Sequence, residues 1–313
     1  MKLEIKFEEI NCISDLVLKL EGLFNCPFFS EIELEIDFRT PRKMIYPEYL
    51  TIIIAIVKHA LNHGYFLKIR CIPPNEERKR IYISRMNFYK EIGIEAPENF
   101  NRHDNTGKFI EITHFNSENS SQISRDIVKI LRKNLEIETS VLSLLEYCFN
   151  EIIDNVEIHA SSPIDGYTAV QNYYDNKELR LIVIDTGRGI YESLIKNKES
   201  THYNECLTNA DALSLSIKKG ITNGKGQGNG LYRTTEFIKD NKGELFLHSG
   251  SDYLHINENN STIMSGPFWQ GTVLFMKIKT KNKIDVESFF EHKEGLINNI
   301  WDFEEELEAI QPW

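Results

Sequence analysis

Between residues 31 and 72 the chain spells two strand patterns around one apolar helix, and this arrangement constrains the fold more than any other stretch. In EIELEIDF (31–38), Ile32, Leu34, Ile36 and Phe38 alternate onto one face, the period of a half-buried strand. YLTIIIAIVKHALNHG (49–64) reads as a buried helix ending at Gly64, a residue suited to the turn that follows a helix. YFLKIRCI (65–72) returns to a strand. Strand, helix and strand joined by short links make a β-α-β unit, which places the chain among the α/β folds. The two prolines of CIPPNEER then break the pattern, and RMNFYKEIGI (85–94) reads as a short helix at the end of a domain.

At 313 residues the chain is long enough for two domains or one large one. PENFNRHDNTGKF (97–109) is the expected linker, because it combines Pro, Asn, Asp and Gly without an apolar run. Beyond it the patterns predict a strand at FIEITHF, helices over about 120–135 and 139–160, and strands at 166–174 and 178–185. A long, partly helical region (191–223) leads to a helix over 229–241 and strands at 243–250 and 271–280. The expected division is 1–105, 106–283 and an acidic, amphipathic tail 284–313. That tail reads as a helix closing the core or as a partner-binding segment.

Charge and cysteine usage exclude several function classes. The formal net charge of −11 repels nucleic-acid phosphates and anionic lipid. The five cysteines are dispersed, with no C-x-x-C pair, which suits reduced thiols in a cytoplasm and neither a disulfide frame nor a zinc site. The first ten residues carry acids where a signal peptide needs an apolar run. The most apolar stretch is too short to span a bilayer and is interrupted by Lys58 and His59. Neither a nucleic acid nor a membrane is therefore an expected partner.

The strongest chemical signal is GKGQGNGLYR (224–233), with four glycines in seven positions. It is not a P-loop, since Lys219 stands where the first glycine belongs and Gly226 replaces the Ser or Thr. It is not a dinucleotide fingerprint, since it follows a polar loop deep in the chain and spaces as G-x-G-x-G. Alone, such a cluster is a surface turn.

Three other segments give it company. In FNEIIDNVEIHA (149–160), Glu151 and Asn155 are four apart and share one helical face, while Phe149, Ile152, Ile153 and Val156 form an apolar stripe. A carboxylate accepts a proton from water, and an amide oxygen is a hard ligand suited to magnesium. Alone, the pair is a solvated polar face. In LRLIVIDTGRGIYESL (179–194) an apolar strand ends at Asp185, followed by Gly187 and Gly189. An aspartate there accepts a hydrogen bond from an exocyclic amine such as that of adenine, and the glycines let a flat base approach; alone, it is a strand-ending turn. In GTVLFMKI (271–278), Thr272 offers a hydroxyl near the same base; alone, it is a strand start.

In the order E-x-x-x-N, D-x-G-x-G, G-x-G-x-G-L and G-T, these segments resemble the GHKL ATPase superfamily, which includes gyrase B, MutL, sensor histidine kinases and anti-sigma-factor serine kinases. The resemblance covers about residues 106–280 and implies a Bergerat-type α/β sandwich, a mixed sheet with helices on one face. It implies ATP and Mg2+ as ligands. Glu151 would polarise the attacking water, Asn155 would hold magnesium, and Asp185 would read the adenine amine. Gly187 and Gly189 would line the base pocket, and Thr272 would support the adenine contact. Gly226, Gly228 and Gly230 would present amides to the phosphates, followed by Leu231, with Lys225 as a counter-charge. Helix 120–135 carries no histidine, which argues against a two-component histidine kinase.

A second, weaker resemblance covers about residues 30–95 and is to STAS-like domains, the fold of anti-sigma-factor antagonists. Where those carry a phosphorylated serine, this chain reads YPEYLT, with Pro47 and Glu48 in its place and Thr51 as the nearby hydroxyl. Glu48 is either an ordinary helix-start acid or a permanent negative charge. Three functions follow as expectations: a cytoplasmic ATP-hydrolysing switch acting on a protein partner or a second copy, a serine/threonine kinase of anti-sigma type, or a nucleotide-binding adaptor without turnover.

Overall fold

A computed structural model of the chain describes residues 1–41, 44–135, 139–195, 205–221 and 230–282. The expectations for Lys225, Gly226, Gly228 and the tail 284–313 lie outside the described residues. The fold is mixed α/β, with a small parallel sheet, a larger antiparallel sheet and helices.

The first part opens with strand β1 (Lys2–Lys6), helix α1 (Ile13–Leu20) and a short 3-10 helix (Glu21–Asn25). Strand β2 (Glu31–Asp37), helix α2 (Pro47–Asn62) and strand β3 (Phe66–Ile72) realise the expected β-α-β unit. The three strands pair in parallel in the order β1-β2-β3. Pro47 takes the first turn of α2, where its missing N–H costs nothing, and Gly64 follows the helix at φ 72°. Of the predicted helix 85–94 only a short α4 forms (Phe88–Glu91); an unpredicted helix, α3 (Glu77–Arg85), precedes it, with Asn87 at φ 63° between them.

Residues 94–108 contain neither helix nor strand. Strand β4 (Phe109–Phe115) and helices α5 (Ser120–Asn134) and α6 (Thr139–Asp154) follow, and α6 continues as a π-helical segment, Asn155–Ala160. Then come β5 (Gly166–Tyr173), β6 (Glu178–Ile184), α7 (Gly189–Ile195), α8 (Asn209–Ser216), α9 (Gly230–Asp240), β7 (Glu244–Ile256) and β8 (Ser261–Lys279). The five strands order as β4-β5-β6-β8-β7. The β7–β8 hairpin is longer than the sequence patterns predict. Asn257 organises its turn, its Oδ1 accepting the amides of Asn259 and Asn260 at 2.9 and 3.0 Å. No helix among the described residues is long and apolar enough to cross a membrane.

One expectation is corrected: the sheet is not mixed, since each of its four strand pairs is antiparallel. The helices that follow β4 pack on one of its faces, and helices of the first part cover the other. Leu179, Leu181 and Val183 of β6 pack with α5, α6 and α9, whereas Ile182 and Ile184 share a core with α1 and α2. The reason lies in α2, whose residues Tyr49 to Val57 are all buried. A helix apolar on every side cannot satisfy itself against one sheet. It lies between the parallel sheet and the rear of the antiparallel one, and the two parts of the chain share one hydrophobic core.

That contact contains one buried ionic knot. Arg180 of β6 donates to Glu178 Oε1 at 2.9 Å and to Glu48 Oε1 of α2, and its guanidinium stacks 3.5 Å over the Tyr46 ring. Glu48 stands in the first turn of α2, as a helix-start acid does, but it is 2 % exposed and paired internally, so it presents no negative charge at the surface. Burial pushes its carboxyl up, opposed by the attraction of Arg180. Removing one partner of such a knot strands a buried charge, which costs more than the intact knot contributes. Arg180→Ala should therefore destabilise the chain by about 3–5 kcal/mol, and Glu48→Gln by clearly less. Urea denaturation of the two variants checks this; equal, small losses would show that the knot does not hold the parts together.

Candidate functional site

Strand parity aims the first of the site's polar groups. Leu179, Leu181 and Val183 face the α5–α6–α9 layer, so Asp185, next in that parity, enters from the same side at the end of β6. Thr272 on β8 and Ser249 on β7 are register partners on that face, and the Asp185 amide donates to the Thr272 carbonyl at 3.0 Å. The end of β6 thus lies beside a polar pair within β8 and β7, beneath the helical layer.

The Asp185 carboxylate is 1 % exposed. Its Oδ1 accepts the Gly187 amide at 2.7 Å. Burial pushes its pKa up from 3.8 to about 7, opposed by hydrogen bonds from Gly187 and Thr272 that favour the charged form. Gly271, at φ 98°, lies against this carboxylate; a Cβ there would sit 2.6 Å from Oδ1. Only glycine tolerates both that backbone angle and that approach. The Trp269 indole N–H donates to the Asp185 carbonyl at 2.9 Å, pinning the strand end from the opposite face.

Motif by motif, the separated segments meet. The Arg188 amide donates to the Ala160 carbonyl at 2.8 Å, which joins the Asp185 loop to the end of the helix bearing Glu151 and Asn155. Ser161 and Ser162 extend that junction, Ser162 Oγ accepting the Thr186 amide at 3.3 Å and Ser161 Oγ the Arg188 guanidinium. Gly189 begins α7 at φ 74°, beside Ser249 Oγ. That hydroxyl accepts the Ile190 amide at 2.9 Å and donates to the Gly271 carbonyl at 2.8 Å, tying α7 to β8. The Gly230 amide, at the start of α9, donates to Glu151 Oε2. A Cβ on Gly230 would lie 2.6 Å from Glu151 Cβ, so the glycine is what lets α9 reach α6.

The apolar stripe Phe149, Ile152, Ile153 and Val156 is buried as expected. Glu151 is half-buried and Asn155 exposed, at the junction where α6 passes into the π-helical segment. Asp154 is pushed above the ordinary carboxylate range by burial and by the charges of Glu157 and Glu151. Among the described residues no three His, Cys, Asp or Glu side chains gather as a metal cluster. Leu231 packs partly buried against the core of the helical layer.

The sequence patterns singled out Asp185, Gly187, Gly189, Thr272, Glu151, Asn155 and Gly230, and the fold brings their segments together. They passed over Ser249, Trp269, Ser161, Ser162 and Tyr147, whose hydroxyl donates to Glu151 Oε1. Of these, Ser249 was accessible through the alternation in GELFLHSG; the others declare themselves only through tertiary contact. No family model, no curated protein and no solved structure matches the chain.

The elevated pKa of Asp185 has a consequence for stability. The folded chain binds this proton more tightly than the unfolded chain, so folding gains as pH falls from about 7 towards 3.8, and the gain is absent above about 7. Asp185→Asn should stabilise the ligand-free protein by about 1–3 kcal/mol at pH 8 and by little at pH 4. Denaturant midpoints at the two pH values check this; an Asn variant less stable at pH 8 would contradict the assigned burial cost.

Proposed function

We propose that the chain is a magnesium-dependent ATP-binding protein that hydrolyses ATP slowly and uses the nucleotide to regulate a protein partner or its own association. The observation that carries the reading is the convergence of separated segments: Glu151 on Gly230, Ala160 on Arg188, and Asp185 between Gly187, Gly271 and Thr272. The finer fold assignment, a Bergerat-type sandwich preceded by a STAS-like unit, belongs to the same proposal. Nucleotide-driven closure of a lid over 191–228 belongs to the same reading, and the described residues include 191–195 and 205–221 of it.

The donor set fits the ligands. A buried carboxylate at a strand end, held from behind by Trp269, presents an acceptor suited to an exocyclic amine. Asn155, exposed one helical turn beyond Glu151, supplies a hard oxygen, and magnesium takes its remaining oxygens from phosphate and water. Bound there, the ion would neutralise charge developing on the phosphates. The start of α9 directs positive backbone charge towards an anion. Glu151 is the group placed to take a proton from an attacking water.

Phosphotransfer to a protein serine gains no support from the first part of the chain. Thr51, the hydroxyl nearest the position of interest, is buried and donates to the Pro47 carbonyl at 2.8 Å.

Calorimetric titration with magnesium and a non-hydrolysable ATP analogue tests the reading, together with phosphate release from ATP. Asp185→Asn should weaken binding by about 100-fold or more, as expected when a buried acceptor is lost. Glu151→Gln should keep binding and lose turnover by about 10²–10⁴-fold. Asn155→Ala should weaken the magnesium-dependent part of the affinity. Equal loss of binding in all three would show the roles wrongly assigned, and label appearing on a partner protein instead of as free phosphate would favour the kinase.

A further inference from the structure

Glu151 is engaged from two sides. Its Oε1 accepts the hydroxyl of Tyr147, one turn earlier on α6, and its Oε2 accepts the Gly230 amide at the start of α9. A carboxylate oxygen on that amide matches a phosphate oxygen in charge sign and in accepting a hydrogen bond.

We propose that Glu151 is a built-in placeholder for a phosphate oxygen at α9, displaced when nucleotide arrives, and that Tyr147 is the positioning residue that keeps hold of the carboxylate once it is displaced. This rests on the nucleotide reading above and adds to it how the candidate base is held before and during binding. The same group cannot occupy the amide and serve a water beside the phosphate. The two contacts divide these tasks, since an incoming phosphate competes for Gly230 and leaves the Tyr147 hydrogen bond intact.

Three features support this division. Tyr147 is itself fixed, with the Arg233 guanidinium 5.4 Å from its ring centroid. Burial, and then the hydrogen bond to Glu151, hold its phenol far above the ordinary range, so it remains a neutral donor at working pH. Beyond this contact, α6 and α9 share a buried core through Phe149, Ile152 and Ile153 on one helix and Phe237 and Ile238 on the other, so the two helices have a second tie. Displacing the carboxylate from Gly230 breaks that hydrogen bond while the shared core keeps the helices together. An anion at a helix start changes an equilibrium by about 2- to 30-fold, a latch that a polyphosphate with magnesium can overcome.

Amide hydrogen exchange at Gly230, followed by NMR on the full chain, reads the latch directly. Without nucleotide, Glu151→Ala should speed exchange at Gly230 by about 10-fold while the amides of β6 and β8 are unchanged. Equal rates would overturn the latch. With magnesium and the non-hydrolysable ATP analogue bound, Gly230 should exchange at the same rate in wild type and in Glu151→Ala, because phosphate has replaced the carboxylate. A persisting difference overturns the placeholder. Tyr147→Phe should lower kcat about 10-fold with analogue affinity kept within about 2-fold, the loss expected for one hydrogen bond to a charged group. Matching losses in kcat and affinity, or no loss in either, would overturn the positioning role. A wild type that binds no nucleotide is a separate result: it defeats the functional reading, whereas binding with an unchanged dependence of Gly230 on Glu151 defeats the placeholder alone.

Discussion

The fold depends on the burial of α2 on every side. Its run of Ile, Leu, Ala and Val leaves no polar stripe to face water, so any structure that covers one side must find a second surface for the other. Each buried branched side chain contributes about 1.5–3 kcal/mol relative to exposure, and the helix carries several. No surface ion pair competes with that sum. The rear of the five-stranded sheet is the surface that answers, and its strands alternate apolar residues towards both layers as a result. Burying β6 on both faces makes parity decisive. A shift of one residue would carry Asp185 from the helical layer to the α2 side and place Arg180 in the core opposite. The knot of Arg180 with Glu48 and Glu178 resists such a slip, because a displaced guanidinium would be stranded without its carboxylates.

The candidate site sits where β6 stops beside the longer strands β8 and β7. Asp185, Thr272 and Ser249 lie at neighbouring strand positions, and beyond them the backbone turns through Gly187, Gly189 and Gly271. A strand end releases main-chain groups that the ladder no longer pairs, and here Ser249, Ser162 and Trp269 supply the missing partners. The result is a rigid polar edge, pinned on one side by an indole and on the other by the end of the π-helical segment. Rigidity of this kind positions an acceptor better than a free loop does.

Local chemistry was legible in the sequence; tertiary partnership was not. The β-α-β unit could be read because period-2 alternation and a bracketed apolar run are local properties of EIELEIDF and of residues 49–64. That α2 is buried was equally legible, but apolarity says nothing about what does the covering, and the polar run 97–109 pointed to a linker between separate units. β1 is only five residues long and depends on β2 for its definition. The far half of the β7–β8 hairpin contains Gly, Ser, Asn and Pro, all poor strand formers, and is held by the pairing of its two arms. In the site, Asp185, the glycines and Glu151 announced themselves by residue type and spacing. Tyr147 did not, since a tyrosine on a helix is ordinarily core; only its hydroxyl on Glu151 distinguishes it.

One tension runs through the site and links its stability to its chemistry. A carboxylate as buried as Asp185 destabilises the ligand-free fold above about pH 7, because burial raises its pKa and ionisation must then be forced. An asparagine would keep an acceptor for the Gly187 amide and avoid that cost. What it would lose is a charged acceptor able to compete with water for an incoming N–H donor, a hydrogen bond roughly twice as strong as a neutral one. Glu151 shows the same logic in reverse. Its carboxylate is held by Tyr147 and by the start of α9, so it has partners without a ligand, and in the proposed placeholder role it would be exchanged against one. In the proposed reading, the carboxylate whose burial outweighs its hydrogen bonds would receive a donor and the one held by Tyr147 and α9 would give way to an anion, an asymmetry that would suit a ligand with an amine at one end and phosphate at the other.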